Sequence, residues 1–205
     1  MWSWNVLGVA LWVALIVYLT FIVQNIRKRR LRMIIERHHS FEWGNFAISI
    51  AEIAIFCLAL GWLAGQSVFD NPNLNDQTRI SAKVKYQSLI LQPGASKNYY
   101  VKVDSSKTKN ASQNYIFYTA GHKYTVPSRM ATVSYEDNPI NVTASTIPFK
   151  LAKLKQMDDR YQKAYVAVYT ARYKNTAQNG LGMHAGKVAT RFFLIRVPDT
   201  SFIKK

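Results

Sequence analysis

Cysteine is almost missing from this chain of 205 residues. Its one thiol, Cys57, sits inside an apolar run, so the polar remainder can form no disulfide. An exported domain without cysteines departs from the eukaryotic secreted pattern and fits the outer face of a bacterium, above all one with a single membrane. Acidic residues are scarce as well: 11 Asp and Glu stand against 27 Lys and Arg, a formal charge of +16. The short motifs that carry a mechanism are absent too. There is no GxSxG, Walker loop, GxGxxG or HExxH, and no cysteine–histidine metal set. No catalytic residue, metal ligand or cofactor is therefore assigned. Asp158-Asp159 resembles a hydrolase carboxylate pair, but neighbouring helical residues diverge by about 100° and the pair reads as surface. His122 and His184 stand singly on predicted loops, and the adjacent His38 and His39 make a poor ligand set.

What is present begins with two long apolar runs, Trp4 to Val23 and Phe46 to Phe69. Each is long enough to cross a hydrocarbon core of about 30 Å as a helix. Between them, residues 24–45 form a short basic loop carrying Arg27, Lys28, Arg29, Arg30, Arg32 and Arg37. Cations beside a span stay on the cytoplasmic side, so the loop is expected inside and both termini outside the cell. The positive charge follows the first run, where a cleaved signal peptide would carry it in front, and this run reads as a retained anchor. Leu63-Ala64-Gly65-Gln66 has the outline of a lipoprotein box with glutamine at the cysteine position, which removes the lipid attachment. The expected location is the plasma membrane, as a multi-pass protein.

Asn45, Ser49 and Glu52 share one face of the second run by helical spacing. Glu52 reads as a carboxyl group near mid-membrane, where ionisable residues are costly and often functional. Its expected partners are Asn5 or Thr20 of the first run, or another membrane protein. Gly61 and Gly65 form a GxxxG that lets helix backbones approach closely.

From residue 70 onward the chain carries 21 basic against eight acidic residues. A domain this basic is drawn to anionic surfaces. Residues 70–78 read as a turn-forming linker, and residues 79–205 as an extracellular β-domain. Seven or eight short strands with regular turn signals point to an antiparallel, sandwich-like fold, Ig-like or a small barrel, with one short helix over Phe149 to Tyr161. The fold class is thus a membrane α-helical hairpin plus an all-β domain. The hairpins expected are Tyr115–Thr119 with Lys123–Val126 and Thr132–Tyr135 with Ile140–Ala144. The Asn175 to Ala185 stretch reads as a glycine-containing connection.

The layout resembles the uncharacterised small two-span membrane proteins of Gram-positive lactic acid bacteria with an extracellular β-rich domain. The features that carry the resemblance are the first span with its N-terminus outside, the basic hinge, the Lys/Tyr/Asn/Thr-rich tail, and phrases such as Tyr124-Thr125-Val126-Pro127 and Leu194-Ile195-Arg196-Val197-Pro198. The resemblance implies a compartment and no activity.

Three functional readings follow, in order. The first is a non-enzymatic envelope protein whose basic domain meets anionic partners (wall polymer, lipid headgroups or an acidic protein) through Lys102, Lys107, Lys109, Lys150, Lys153 and Lys155. The second is an accessory or sensor subunit of a membrane complex (transporter, wall synthesis or signalling), contacting another membrane protein through Glu52, Gly61 and Gly65. The third is an envelope hydrolase. Nucleic acid is not an expected partner.

Overall fold

The structure is a computed structural model and describes residues 3–37, 42–105 and 113–204. The side chains of Glu36 and Arg37 lie outside that description, as do His38, His39, Lys107 and Lys109. The chain divides into two compact units, Met1–Asn73 with Tyr173–Lys187, and Leu74–Arg172 with Val188–Lys205.

The first unit is built on two long apolar helices, α1 (Asn5–Arg37) and α2 (Trp43–Ala64), the latter prolonged by a π-helical turn over Gly65–Phe69. Both are long and apolar enough to cross a membrane by length and composition. Helix α1 does not stop at Val23: no proline or glycine interrupts residues 9–37, and the arginines, lysine and leucine there are good helix formers. At 33 residues it is about 50 Å long, well beyond a hydrocarbon core. The first helix thus runs on through the basic stretch to Arg37, and its cations complement the negative C-terminal end of the helix dipole.

The two helices run antiparallel, as contacts at both ends show. At one end Asn25 and Arg29, one turn apart on α1, reach Glu52 of α2; Asn25 Nδ2 donates to Glu52 Oε1 at 2.7 Å, and the Arg29 guanidinium pairs with Oε2. At the other end the segment 173–187, with the short helix α4 (Ala177–Leu181), packs on both helices. Asn5 donates from Nδ2 to Ala185 O (3.0 Å) and accepts from Ala185 N (2.9 Å), so one amide side chain satisfies both backbone groups. Trp4 N donates to Asn175 Oδ1 at 2.9 Å. Gly8 and Gly180 permit this approach. A Cβ on Gly180 would run into the Trp4 carbonyl, and one on Gly8 would stand 2.8 Å from Leu181 O. Close to α2, the Gln66 carbonyl abuts Gly182. The stretch expected to be a plain connection is thus a docked cap, fixed by polar groups invisible to periodicity.

The second unit holds strands β1 (Ile80–Ser88), β2 (Val101–Ser105), β3 (Gln113–Thr119), β4 (His122–Pro127), β5 (Ala131–Ser134), β6 (Tyr165–Tyr173), β7 (Val188–Arg196) and β8 (Ile203–Lys204), with helix α3 (Leu151–Tyr161). They form two four-stranded sheets, β1-β6-β7-β5 and β4-β3-β2-β8. The β3–β4 hairpin forms as expected, with Gly121 at φ 86° in its two-residue turn. The expectation of a wholly antiparallel fold is corrected: β5 pairs parallel with β7, and β2 parallel with β8. The expected Ile140–Ala144 strand is absent; those residues form turns ending in a 3-10 turn over Ala144–Thr146. Alternation identifies a strand but not its neighbour, and the α3–β6 crossover is what brings β7 alongside β5.

One core is shared by both sheets, with Val101, Phe117 and Val126 from one and Ala131, Val166, Phe193 and Ile195 from the other. Strand β7 alternates between two buried environments. Phe193 and Ile195, and Val197 just past the strand, enter the shared core, while Phe192 and Arg196 face Phe149 and α3 on the other side. Arg196 is fully buried. Its Nε and Nη2 grip Asp158 of α3 at 3.0 and 2.7 Å, and Nη1 donates to Ser134 Oγ and Glu136 O, both at 2.9 Å. Asp158 is therefore a buried structural partner and not surface, whereas Asp159 is exposed. Beside this pair Tyr165 Oη donates to Leu154 O at 3.1 Å. Burial first, and then the Asp158 carboxylate, hold its phenol well above the ordinary value of 10.0.

These contacts set two expectations. Asp158→Ala strands a buried guanidinium and costs about 3–5 kcal/mol, whereas Asp158→Leu with Arg196→Met costs markedly less; urea unfolding of both variants measures the difference, and equal losses would contradict the pairing. Gly180→Val lifts the 173–187 cap, and trypsin then cuts at Lys174 and Lys187 faster than in the parent. Gly65→Val, where a Cβ meets open space, leaves the cleavage rate unchanged.

Candidate functional site

One concavity of the second unit is a groove of about 690 Å³. It is lined by Arg129 and Met130 from the turn between β4 and β5, by Thr143, Thr146 and Ile147, and by the consecutive β7 residues Val188 to Phe192. Successive side chains of a strand point to opposite faces. Five neighbours lining one groove therefore mean that it follows the edge of β7 and neither of its faces. The edge is open because β5 pairs only with Phe193 to Arg196, leaving residues 188–192 bonded on the β6 side alone among the described strands.

The wall opposite β7 is held by Asn141. Its Nδ2 donates to Thr132 Oγ1 (2.7 Å) and Val133 O (3.1 Å), and its Oδ1 accepts from Ala144 N at 2.9 Å. This fixes the turn that carries Thr143 and Thr146 against β5. Met130, Ile147 and Phe192 provide an apolar base. Arg129 and Arg191 are exposed and make no ion pair among the described residues. The lining contains no carboxylate, histidine or cysteine. Two free guanidinium forks beside threonine hydroxyls offer donors shaped for carboxylate or phosphate oxygens.

Of the candidate anion-binding lysines, Lys107 and Lys109 lie outside the described residues, and Lys102 does not share a surface with Lys150, Lys153 and Lys155. Val101 enters the core, so Lys102 beside it lies on the outer face of its sheet. Lys150, Lys153 and Lys155 are exposed on and before α3, which packs on the far side of the other sheet. Lys153 Nζ donates to Gln156 Oε1 at 2.8 Å. The cations at hand for a single ligand are instead Arg129 and Arg191, which neither composition nor spacing singled out. The available signal was faint: an arginine in the middle of an otherwise strand-like run.

In the first unit, Arg27, Lys28, Arg29, Arg30 and Arg32 lie on α1, and Arg37 ends it. Asn45, Ser49 and Glu52 do share a face, with Ser49 Oγ donating to Asn45 O and Asn45 Nδ2 to Glu42 Oε2, both at 2.8 Å. That face turns to α1 and borders a cleft of about 280 Å³ with Ile26, Arg29, Arg30 and Met33. Glu52 is thereby level with Arg29 of the basic cluster. Its partners are Asn25 and Arg29, whereas Thr20 bonds Val17 O and Asn5 bonds the 173–187 cap. Gly61 and Gly65 have nothing within 4 Å of where a Cβ would stand, so their face is open. His184 stacks on Tyr173 with centroids 5.0 Å apart, and His122 lies 6.3 Å from the Tyr124 ring. Among the described residues no three acids, histidines or cysteines gather as a metal-binding group.

Over residues 3–204 the chain matches the model of a protein family whose description is a bare "-like" label taken from a locus of a lactic acid bacterium. The chain belongs to this family. No curated protein and no solved structure matches it. The family label states no activity, so any function has to be argued from the groove and the helices.

Proposed function

We propose that the protein is a non-enzymatic, two-span plasma-membrane protein of a Gram-positive cell, whose sandwich-like β-domain captures an anionic envelope component outside the cell. The observation that carries this reading is the β7 groove, with Arg129 and Arg191 among its lining residues and no carboxylate there. Its lack of histidine, cysteine or acid supports binding over hydrolysis.

Membrane insertion is supported by how the helices display their side chains. Ile16, Val17, Phe21, Ile53, Leu58 and Trp62 are all exposed, which a solvated helix pair would not tolerate. Orientation is supported by the two ends of the hairpin. The basic cluster occupies one end, and segment 173–187 of the tail grips the other through Trp4 and Asn5. Tail and N-terminus therefore belong on one side and the cations on the opposite, cytoplasmic one.

The test is binding by the full chain in nanodiscs to two anionic polymers, poly(glycerol phosphate) and polyglutamate. Affinity for at least one should fall steeply with salt, since the contacts are charge-assisted and exposed. Arg129→Glu with Arg191→Glu should weaken it roughly tenfold or more, whereas Lys150, Lys153 and Lys155 changed together to Ala should change it little. Binding to neither polymer, or binding indifferent to salt, sinks the proposal.

A second reading, an accessory subunit of a membrane complex, is favoured by one observation: the open Gly61/Gly65 face of α2. Glu52 is engaged within the hairpin, so its replacement would disturb the protein itself, and Gly61→Leu is the cleaner probe. In-cell cross-linking followed by affinity capture should lose a membrane partner in Gly61→Leu; an unchanged partner set eliminates this reading.

A further inference from the structure

We infer that the open edge of β7 accepts an extended acidic peptide, which adds to the sheet as one more strand. The inference rests on the reading of the groove as an anion site and names the class of anion. Strand β5 begins only at Ala131, opposite Phe193, and the chain before it swings away through the Ser128–Met130 turn. The line that β5 would occupy beside Val188 to Phe192 is left as the groove itself. That stretch of edge is about 13 Å long, room for four or five extended residues.

A strand edge presents backbone N–H and C=O groups at the fixed spacing of a ladder, which another peptide backbone matches and a sugar- or glycerol-phosphate chain does not. The side chains define the rest of the ligand. An added strand would turn alternate residues to the two sides of the groove. Met130, Ile147 and Phe192 offer apolar contact below, and Arg129 and Arg191 offer guanidinium forks to carboxylates. Open edges invite indiscriminate pairing, and charge on the edge strand is the usual guard against it. Arg191 lies within the open stretch, so the charge that excludes neutral or basic strands is the one that selects acidic ones.

The experiment uses the full chain in nanodiscs and a fluorescent peptide alternating Glu with Val. Two further versions carry backbone N-methyl groups on every second residue, in the two complementary phases, so that each lacks the hydrogen-bond donors of one edge only. The parent peptide is expected to bind, and Arg129→Glu with Arg191→Glu to weaken it about tenfold or more. One methylated phase should bind like the parent and the other at least roughly tenfold worse. Both arginines are exposed, and an unchanged thermal melt confirms that the double variant is folded. If both methylated phases bind as the parent does, strand addition is wrong while the anion site stands. Strand addition is equally wrong, and the anion site again stands, if polyglutamate or poly(glycerol phosphate) binds through the two arginines and the short peptide does not. If no acidic probe responds to the two arginines, both the strand and the anion site are overturned.

Discussion

The guanidinium of Arg196 is the interaction on which the β-domain depends. It is fully buried at the end of β7 and joins two pieces of chain distant in sequence: α3 through Asp158, and the end of β5 with the turn after it through Ser134 and Glu136 O. Two charges out of water cost several kcal/mol each, and only complete pairing offsets that. Here the carboxylate takes two donors and the third nitrogen has two acceptors, so little is left unsatisfied. The pair holds α3 on one face of the β6–β7 ribbon while the other sheet covers the opposite face. The far end of β7 runs beside the turns bearing Arg129 and Thr143.

Charge in this chain has two separate distributions. The cations of α1 are crowded at one end of a helix pair, where Arg29 is partly neutralised by Glu52. Those of the β-domain are, among the described residues, spread over both of its faces, and Arg129 and Arg191 line one groove. A net charge of +16 is therefore a poor guide to a ligand. Long-range attraction follows the total, but a fork that recognises a carboxylate needs a particular place.

Much of the architecture was legible because it rests on local patterning. Two runs of about twenty apolar residues can be little else than long helices. The Leu151, Leu154, Met157 spacing marks α3, and the alternation from Tyr165 to Tyr173 and from Val188 to Val197 marks the central ribbon. What escaped depends on pairing. Nothing local distinguishes Asn25 and Arg29 from Asn5 and Thr20 as partners for Glu52, since the choice is set by how far α1 continues beyond the apolar run. Asp158 read as surface together with Asp159 because adjacent helical residues diverge, and its partner, the arginine in Leu194-Ile195-Arg196-Val197, comes from a different element. The groove was illegible for a deeper reason: it exists only because β5 is shorter than β7, and relative strand length is a tertiary fact.

The hydrogen bonds between Asn5 and Ala185 close a loop of 180 residues. This gives the helical unit an order of assembly. The cap of the helix pair is encoded almost at the far end of the message, so during synthesis the two helices must wait, with the Asn5 amide and the Gly8 surface uncovered, until the ribosome has passed residue 185 and the intervening strands have emerged. The unit is discontinuous, and cutting the gene after the helices does not yield a helical domain and a strand domain. It yields a helix pair without its lid, and a β-domain carrying fifteen residues, 173–187, whose platform has been removed.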